Sequence, residues 1–253
     1  MRAGILGFGR AGRSVASVFL QNPEVHLSWV MRRSKLLHYR SVCEFLGIES
    51  NEQGMILSKE EWTIEKLLDE HPVDVIIDFS SIDGIFYYGK EATKRGIAIV
   101  SAISEYPPDR MELINQLALD TPVLWSPNIT IGVNFLILAA RILKKIAPYT
   151  DIEIIEEHFK DKQGISGTAK KIAQALEIES TEIKTIRAGG IVGHHEILFG
   201  FPYQTVRLLH ESISREAFGN GALFAADKII GRPNGLYTME DMLLPYFNLL
   251  KDN

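Results

Sequence analysis

The sequence predicts an α/β protein that combines a doubly wound parallel sheet with a smaller α+β domain. Three observations support this fold class. Short apolar strands alternate with helices over the first 128 residues, a glycine-rich turn joins the first strand to the first helix, and the alternation stops after Asn128. We therefore expect a domain boundary close to this residue.

Apolar runs in the first region predict its strands, and helical runs lie between them. The run Asp74–Phe79 is continuous, which is typical of a parallel strand that is buried on both faces. After Arg33 the chain becomes polar. The predicted strands are 4–6, 25–31, 74–79, 97–101 and 122–125, and the predicted helices are 13–20, 62–68, 84–95 and 111–117.

The second region has a different pattern. Ile152 and Ile154 alternate with Glu153, which indicates a strand with one buried face. We expect an open mixed sheet in which most strands are antiparallel. The predicted helices are 133–146, 167–176 and 217–230, and the predicted strands are 151–156, 184–188, 195–199 and 206–212.

Composition and charge exclude several classes of protein. Of the 253 residues, 46% are hydrophobic and 23% are charged, which excludes disordered and low-complexity chains. The formal net charge of −5 gives no general attraction for nucleic acid or anionic membranes. The single cysteine, Cys43, excludes an internal disulfide scaffold, and no run reaches the ~18 apolar residues of a membrane span. Since the N-terminus also lacks a signal-peptide pattern, we expect a cytoplasmic protein without nucleic-acid or membrane partners.

The glycine-rich turn is the first candidate site. Gly7, Gly9 and Gly12 have the G-x-G-x-x-G spacing and lie between a predicted strand and a predicted helix. Such glycines permit a tight turn, close approach of a pyrophosphate and close packing of helix and strand. The turn therefore favours a bound dinucleotide over an ordinary glycine turn.

The end of the second predicted strand indicates which dinucleotide. Sites that prefer NAD place an acidic residue here, about 20 residues after the glycines, to bind the ribose hydroxyls. This sequence has Arg32 and Arg33 instead, and arginine suits a 2′-phosphate. NADPH is favoured, and NADH stays possible. The alternative is a pair of solvated arginines.

A second candidate site precedes the helix predicted from residue 167. Ser166-Gly167-Thr168 opens that helix, where hydroxyls and free N–H groups can hold a carboxylate. His158 and Lys162 are expected on the loop just before it, and both can exchange protons with an imine or enamine. The alternative is a capped helix behind a charged surface loop.

Three further residues could carry chemistry. His194 and His195 are adjacent, but neighbouring strand residues point to opposite faces, so they should not share a metal, and we expect no metal site. Arg215, between a predicted strand and a predicted helix, could contact an acidic substrate or could be structural.

Together these motifs resemble the dihydrodipicolinate reductase family, the 4-hydroxy-tetrahydrodipicolinate reductases of lysine and diaminopimelate biosynthesis. The resemblance extends over nearly the whole chain, and its two longest motifs are the most specific. The matching segments are 7–12 with Arg13, 77–79, 127–134, 166–169, 187–195 and 210–222.

The resemblance implies a Rossmann-type domain formed by residues 1–128 and 216–253. It implies a substrate-binding and oligomerisation domain at 129–215, which would form a homotetramer or a homodimer. NADPH or NADH would be the hydride donor, and a cyclic dicarboxylate imine the small-molecule substrate.

The resemblance also implies roles for individual residues. His158 matches the acid/base histidine, Lys162 the proton-donating lysine, and Ser166, Gly167 and Thr168 the substrate-carboxylate cradle. Phe159 and Arg215 would also contact the substrate. The implied nucleotide contacts are Gly7, Phe8, Gly9, Arg10, Ala11, Gly12, Arg32, Arg33, Phe79, Ala102, Ile103, Ser104, Ser126, Pro127, Asn128 and Ile129.

The loop before Ser166 departs from the family pattern. Phe159 replaces a second histidine, Gln163-Gly164-Ile165 replaces Asp-Ala-Pro, and the loop is one residue shorter if His158 and Lys162 are both matched. An ungapped alignment would instead place Glu157 and Asp161 at the catalytic positions, with His158 at the second histidine. The segment Ala102–Glu105 also departs from the family's G-T-T-G.

These departures leave two alternatives to the family reaction. One is an NAD(P)H-dependent reductase of another carboxylated imine or carbonyl compound. The other is a non-catalytic, nucleotide-binding homologue.

Overall fold

The computed structural model describes residues 1–51 and 54–248, which form two compact units. The first unit contains residues 1–129 and the C-terminal segment from Phe218, and the second contains Thr130–Ala217. Each unit has its own sheet and its own apolar core. No helix within the described residues is long and apolar enough to cross a membrane.

The first unit is built on a seven-stranded sheet in which every neighbouring pair is parallel. The strand order is β11-β6-β5-β4-β1-β2-β3. The first strand therefore lies in the interior of the sheet, with β2 and β3 on one side of it and the later strands on the other. The predicted doubly wound sheet is confirmed. The strands are β1 Arg2–Leu6, β2 His26–Arg32, β3 Met55–Ser58, β4 Val75–Asp78, β5 Ala98–Ser101, β6 Pro122–Trp125 and β11 Gly235–Tyr237.

The helices of this unit start where the sequence provides local signals. Thr63 Oγ1 accepts a hydrogen bond from the Lys66 N–H and caps α3, and Pro108 occupies the first position of α5. The helices are α1 Arg10–Gln21, α2 Val42–Leu46, α3 Ile64–Glu70, α4 Gly84–Lys94, α5 Pro108–Ala118, α8 Glu216–Ile229, which runs into this unit, and α9 Met239–Asn248.

The second unit is a four-stranded mixed sheet in the order β10-β9-β7-β8, with β7 and β8 parallel and the other pairs antiparallel. Its core places Ile154, Ile197 and Phe199 with apolar residues of α6 and α7, as the alternating pattern predicted. The elements are α6 Ile131–Ile146, β7 Asp151–His158, α7 Gly167–Ala175, β8 Lys184–Arg187, β9 His194–Gly200 and β10 Thr205–Glu211.

Some sequence predictions were incomplete. His158, expected on a loop, is the last residue of β7, because the strand continues two residues beyond Glu156 beside β8 and β9. The first helix begins at Arg10 rather than Arg13, since Gly9 already serves as its N-cap. Five short or irregular elements of the described residues were not predicted: α2, β3, β11, α9 and a single 3₁₀ turn at Ser180–Glu182.

The side chain of Trp29 on β2 leaves no room for a side chain at Gly4 on the neighbouring strand β1. Its side chain is fully buried, and its indole N–H donates to the His71 carbonyl oxygen at 3.1 Å. A Cβ placed on Gly4 of β1 would lie 2.2 Å from the Trp29 ring. Glycine is therefore needed at this position in β1, because any side chain would displace the indole.

We expect Gly4→Ala to lower the free energy of unfolding by about 1–3 kcal/mol, measured by urea denaturation, because the extra methyl overpacks the core. In a Trp29→Phe background the same substitution should cost less, since the smaller ring leaves room. Equal costs in the two backgrounds would contradict this packing account.

Candidate active site

The predicted nucleotide contacts lie at one edge of the first unit's sheet. They immediately follow the carboxyl ends of β1, β2, β4, β5 and β6, and parallel strands bring those ends to the same edge. Backbone hydrogen bonds hold the turns together here: Gly7 N–H donates to Met31 O, Phe79 N–H to Leu6 O, and Ala102 N–H to Asp78 O, at 2.8–2.9 Å. The order of the strands reverses between β1 and β4, where ligands bind in such sheets.

The glycine turn has the close contacts that its spacing predicted. Gly7 has a φ of +96°, and a Cβ there would lie 2.6 Å from the Phe79 carbonyl oxygen. A Cβ on Gly12 would lie 2.0 Å from the Gly7 carbonyl oxygen. At Gly9, the N-cap of α1, the space that a Cβ would occupy is empty to 4 Å. This cradle fits a dinucleotide pyrophosphate at the helix N-terminus.

A cluster of cations lies beside the cradle. Arg32 Nη1 is buried and has no hydrogen-bond partner among the described residues, while Arg33 is exposed. Lys59, the first residue after β3, donates its backbone N–H to Arg32 O at 2.9 Å. Burial lowers the pKa of Lys59, while the negative charge of Asp78 acts to raise it. An unsatisfied buried donor and two neighbouring cations fit an anionic group such as a 2′-phosphate.

Several other predicted nucleotide contacts have buried side chains and can offer a nucleotide mainly their backbone groups. Phe8 is buried against Phe45, with the Arg13 guanidinium over both rings, and Ile103 and Ile129 are also buried. Ser126 Oγ donates to Asn128 O at 2.6 Å. The exposed members of the set are Gly9, Arg10, Arg33 and Ser104, while Gly7, Ala11, Arg32, Phe79, Ala102, Pro127 and Asn128 are half-buried and Gly12 is buried.

In the second unit, the carboxylate of Glu156 is the centre of a buried polar cluster. Arg187 Nη2 donates to Glu156 Oε1 at 2.5 Å, and the Ser166 N–H donates to Oε2 at 3.1 Å. Burial raises the pKa of Glu156, but the hydrogen bonds from Ser166 and Arg187 outweigh it and hold the pKa below its ordinary value. We name Glu156, His158, Ser166, Arg187 and His195 the Glu156 cluster.

Both ring nitrogens of His158 face protein groups. Nδ1 lies 3.1 Å from the Val192 carbonyl oxygen, whereas the buried Nε2 lies 3.5 Å from Glu156 Oε2 and has no hydrogen-bond partner among the described residues. The side chain is buried at the end of β7. Burial lowers the pKa of His158, while Glu156 and the Val192 carbonyl act in the opposite direction.

Ser166 joins the cluster to the start of α7. Its Oγ accepts the Ala169 N–H at 3.0 Å, which caps the helix, and lies 3.1 Å from His195 Nε2. The Ser166 hydroxyl is therefore turned inward. Gly167 is exposed, with nothing within 4 Å of where a Cβ would be, and Thr168 is half-buried. A carboxylate could approach the helix start at these two residues.

Arg187 holds the short loop that carries Lys162. Its Nε donates to Lys162 O at 3.2 Å and its Nη2 to Gly164 O at 2.7 Å. Lys162 is half-buried, and within the described part of the chain no group pairs with its ammonium. The positive charge of Lys162 contributes to lowering the pKa of His158.

The structure separates the residues of the ungapped alignment from this cluster. Glu157 lies on the other face of β7, 3.9 Å from His194 Nδ1, and Asp161 is exposed. His158, and not Glu157, is therefore the residue at this end of β7 that belongs to the Glu156 cluster. Phe159 is 45% exposed. Arg215 is exposed, and across residues 1–51 and 54–248 no hydrogen bond or ion pair joins it to the Glu156 cluster.

The cluster also contains groups that bind metals in other proteins. His194 and His195 point to opposite faces as predicted, but His195 meets Glu156 and His158, with candidate ligand atoms within 4.8 Å of one another. This combination was not predicted, because Glu156 and His158 lie on β7 and His195 lies on β9. The Arg187 guanidinium already neutralises the carboxylate and the Ser166 N–H donates to it, so the cluster is suited to hydrogen bonding rather than to a cation.

Sequence reasoning missed three contributors. Lys59 was missed because β3 was not predicted. The spacing Glu156-x-His158 on one strand face could have revealed Glu156, since residues i and i+2 share a face. Arg187 reaches Glu156 only through the pairing of β7 with β8, for which no local signal exists.

Comparison with known proteins decides the family. The model for the N-terminus of dihydrodipicolinate reductase matches residues 1–129, and the model for its C-terminus matches residues 129–243. The chain belongs to the dihydrodipicolinate reductase family. It is therefore an NAD(P)H-dependent oxidoreductase.

Relatives in this family cover most of the chain. The 4-hydroxy-tetrahydrodipicolinate reductase of Methanocorpusculum labreanum is 30% identical over 93% of this chain and 95% of its own. That of Caldanaerobacter subterraneus is 35% identical over 67% of this chain and 76% of its own. The dipicolinate-bound dihydrodipicolinate reductase of Paenisporosarcina sp. TG-14 has the same fold, with a TM-score of 0.78 at 22% identity over 95% of this chain and 98% of its own.

The buried histidines make the stability of the protein depend on pH. Burial lowers the pKa of His195 to about 4, and it also lowers the pKa of His158 and His210. Between about pH 6.5 and pH 4 the unfolded chain therefore binds protons that the folded chain does not. We expect the free energy of unfolding, measured with urea, to fall as the pH drops through this window, by on the order of 3 kcal/mol for His195.

His195→Gln should flatten this dependence, because its amide can still meet Ser166 Oγ but does not titrate. An identical slope in wild type and His195→Gln would show that His195 is not responsible.

Proposed function

We propose that this enzyme reduces a carbon–nitrogen double bond of a cyclic dicarboxylate, 4-hydroxy-tetrahydrodipicolinate, in lysine and diaminopimelate biosynthesis. The observation that carries the substrate class is the start of α7. Ser166-Gly167-Thr168 opens this helix. The loop before it carries Lys162, and no group among the described residues pairs with the Lys162 ammonium. A helix N-terminus and an ammonium group suit a carboxylate, and the ammonium also supplies a proton.

NADPH is the proposed hydride donor, and the residues present fit it. The glycine cradle of residues 7–12 would hold the pyrophosphate, and Arg32, Arg33 and Lys59 would face the 2′-phosphate. When bound, the reduced nicotinamide supplies the hydride. The remaining predicted contacts at residues 79, 102–104 and 126–129 would border it at the same edge.

Phe159 supports a second candidate. This exposed aromatic ring replaces a histidine of the family pattern, so it offers a substrate apolar surface instead of a cation. The alternative is therefore reduction of another carboxylated imine or carbonyl compound, one with a less polar body than a cyclic dicarboxylate.

We propose that the enzyme is a cytoplasmic homotetramer or homodimer that assembles through the second unit. One face of its sheet packs on α6 and α7, while the other presents apolar side chains between paired charges. An uncovered apolar sheet face suits a second copy of the chain. The apolar side chains are Ile155, Ile186, Leu198 and Leu209.

The proposed reaction is tested with purified protein, NADPH and freshly generated 4-hydroxy-tetrahydrodipicolinate. We expect oxidation of NADPH, followed as loss of absorbance, at the efficiency of an ordinary biosynthetic enzyme. A panel of other carboxylated imines and carbonyl compounds is the comparison. Faster turnover of a panel member would favour the alternative, and no oxidation with any compound would refute both.

The cofactor assignment predicts a selective loss of affinity. Arg32→Ala and Arg33→Ala should each weaken NADPH binding by about 1.5–3 kcal/mol, because each removes a charged hydrogen bond to phosphate. NADH binding, measured by the same fluorescence titration, should hardly change. Lys145→Ala, at an exposed position on α6 in the second unit, is the charge control. Equal effects on the two nucleotides would exclude these arginines as the phosphate site.

A further inference from the structure

The proposed cofactor has a defined orientation on the sheet of the first unit. Arg32 ends β2 and Lys59 follows β3, so both lie to one side of the glycine cradle that follows β1. A dinucleotide binds where the strand order reverses, with its two nucleotides on opposite sides of that point. With the 2′-phosphate on the β2 side, the nicotinamide half would lie toward the ends of β4, β5 and β6.

A short segment, residues 102–106, follows β5 on that side of the cradle. Ile103 and Tyr106 are buried in the apolar core of the unit, whereas Ser104 and Glu105 are exposed. The segment is therefore anchored through two buried side chains, and the residues between them are open to a ligand.

The last residue of β6, Trp125, holds the middle of this segment. Its indole N–H donates to the Ile103 carbonyl oxygen at 2.9 Å. Trp125 is opposite Ser101 in the pairing of β6 with β5, so the hydrogen bond fixes the segment to the neighbouring strand. Tyr106 closes the segment, since its hydroxyl lies 2.8 Å from Ser101 Oγ and its ring centroid 6.0 Å from that of Trp125.

These contacts determine which backbone groups of the segment a ligand can meet. The Ile103 carbonyl is occupied by the indole, and the Ala102 N–H donates to the Asp78 carbonyl oxygen at 2.9 Å. Within the part of the chain that the structure describes, no hydrogen bond occupies the Ala102 carbonyl or the Ser104 N–H. One acceptor and one donor are what a carboxamide group requires, so the segment suits the amide of a nicotinamide.

We propose that Trp125 is a positioning residue for the nicotinamide half of the cofactor. By holding the Ile103 carbonyl oxygen, its indole N–H sets where the flanking residues Ala102 and Ser104 present their backbone groups. The role of Trp125 rests on the proposed binding of NADPH. It extends that proposal to a residue outside the set of predicted nucleotide contacts.

Two ligands separate the halves of the cofactor. NADPH has both halves, whereas adenosine 2′,5′-bisphosphate has the 2′-phosphate but no nicotinamide. Trp125→Phe keeps an aromatic ring and removes the N–H, so the Ile103 carbonyl loses its partner. Measured by calorimetry, the Kd of NADPH should rise about three- to tenfold, while that of the bisphosphate should stay within about 1.5-fold of wild type. Unchanged binding of the bisphosphate also shows that the variant is folded.

Tyr106→Phe, which removes the contact with Ser101 Oγ, should show the same selective loss of NADPH affinity. The matched control is Trp29→Phe. It also removes an indole hydrogen bond to a carbonyl oxygen, that of His71, and should leave the ratio of the two dissociation constants unchanged.

Equal weakening of both ligands by Trp125→Phe, or an unchanged Kd of NADPH, would overturn the role of Trp125 and leave the cofactor assignment intact. A change in the ratio of the two constants in Trp29→Phe as large as that in Trp125→Phe would also overturn it. Wild-type protein that binds neither nucleotide would refute the cofactor assignment itself, and the role of Trp125 with it.

Discussion

The site in the second unit depends on the hydrogen bonds that the buried Glu156 carboxylate accepts. This carboxylate is buried on β7 and joins three segments that are distant in sequence: the start of α7 through Ser166, the β8 end through Arg187, and the His158 ring beside it. A buried charge is costly unless it is paired, and loss of one partner from such a pair typically costs about 3–5 kcal/mol. Because Arg187 also binds the loop backbone, the charge pair controls where Lys162 lies.

In the first unit the candidate site is shaped by close contacts between backbone atoms rather than by a charge pair. Its nucleotide cradle exists because glycines at 7 and 12 let main-chain atoms approach to distances that a Cβ would forbid. The parallel sheet supplies rigidity and brings five strand ends to one edge. The first unit thus offers a backbone cradle, and the second unit offers a loop held by a charge pair.

Local signals in the sequence were sufficient for most of the fold. The glycine spacing and the apolar runs predicted β1, α1 and the central strands, because parallel strands and amphipathic helices have local patterns. Elements such as β3 and β11, of four and three residues, are stabilised by pairing with β2 and β6, which no local pattern encodes. The boundary of β7 was misplaced for the same reason, and His158 was therefore expected on a loop.

The candidate site was predictable in its residues but not in its contacts. His158, Lys162 and Ser166 could be named from the sequence. That Arg187 would meet Glu156, and that both ring nitrogens of His158 would face protein, depends on the register of β7 against β8 and β9.

The most direct measurement is a crystal structure of the enzyme with NADPH and dipicolinate. We expect Lys162 Nζ within hydrogen-bond distance of the ligand, about 3 Å, with Glu156 still bonded to Arg187 and Ser166. A ligand bound away from Lys162 and the start of α7, or a Glu156 carboxylate released from Arg187, would contradict this expectation.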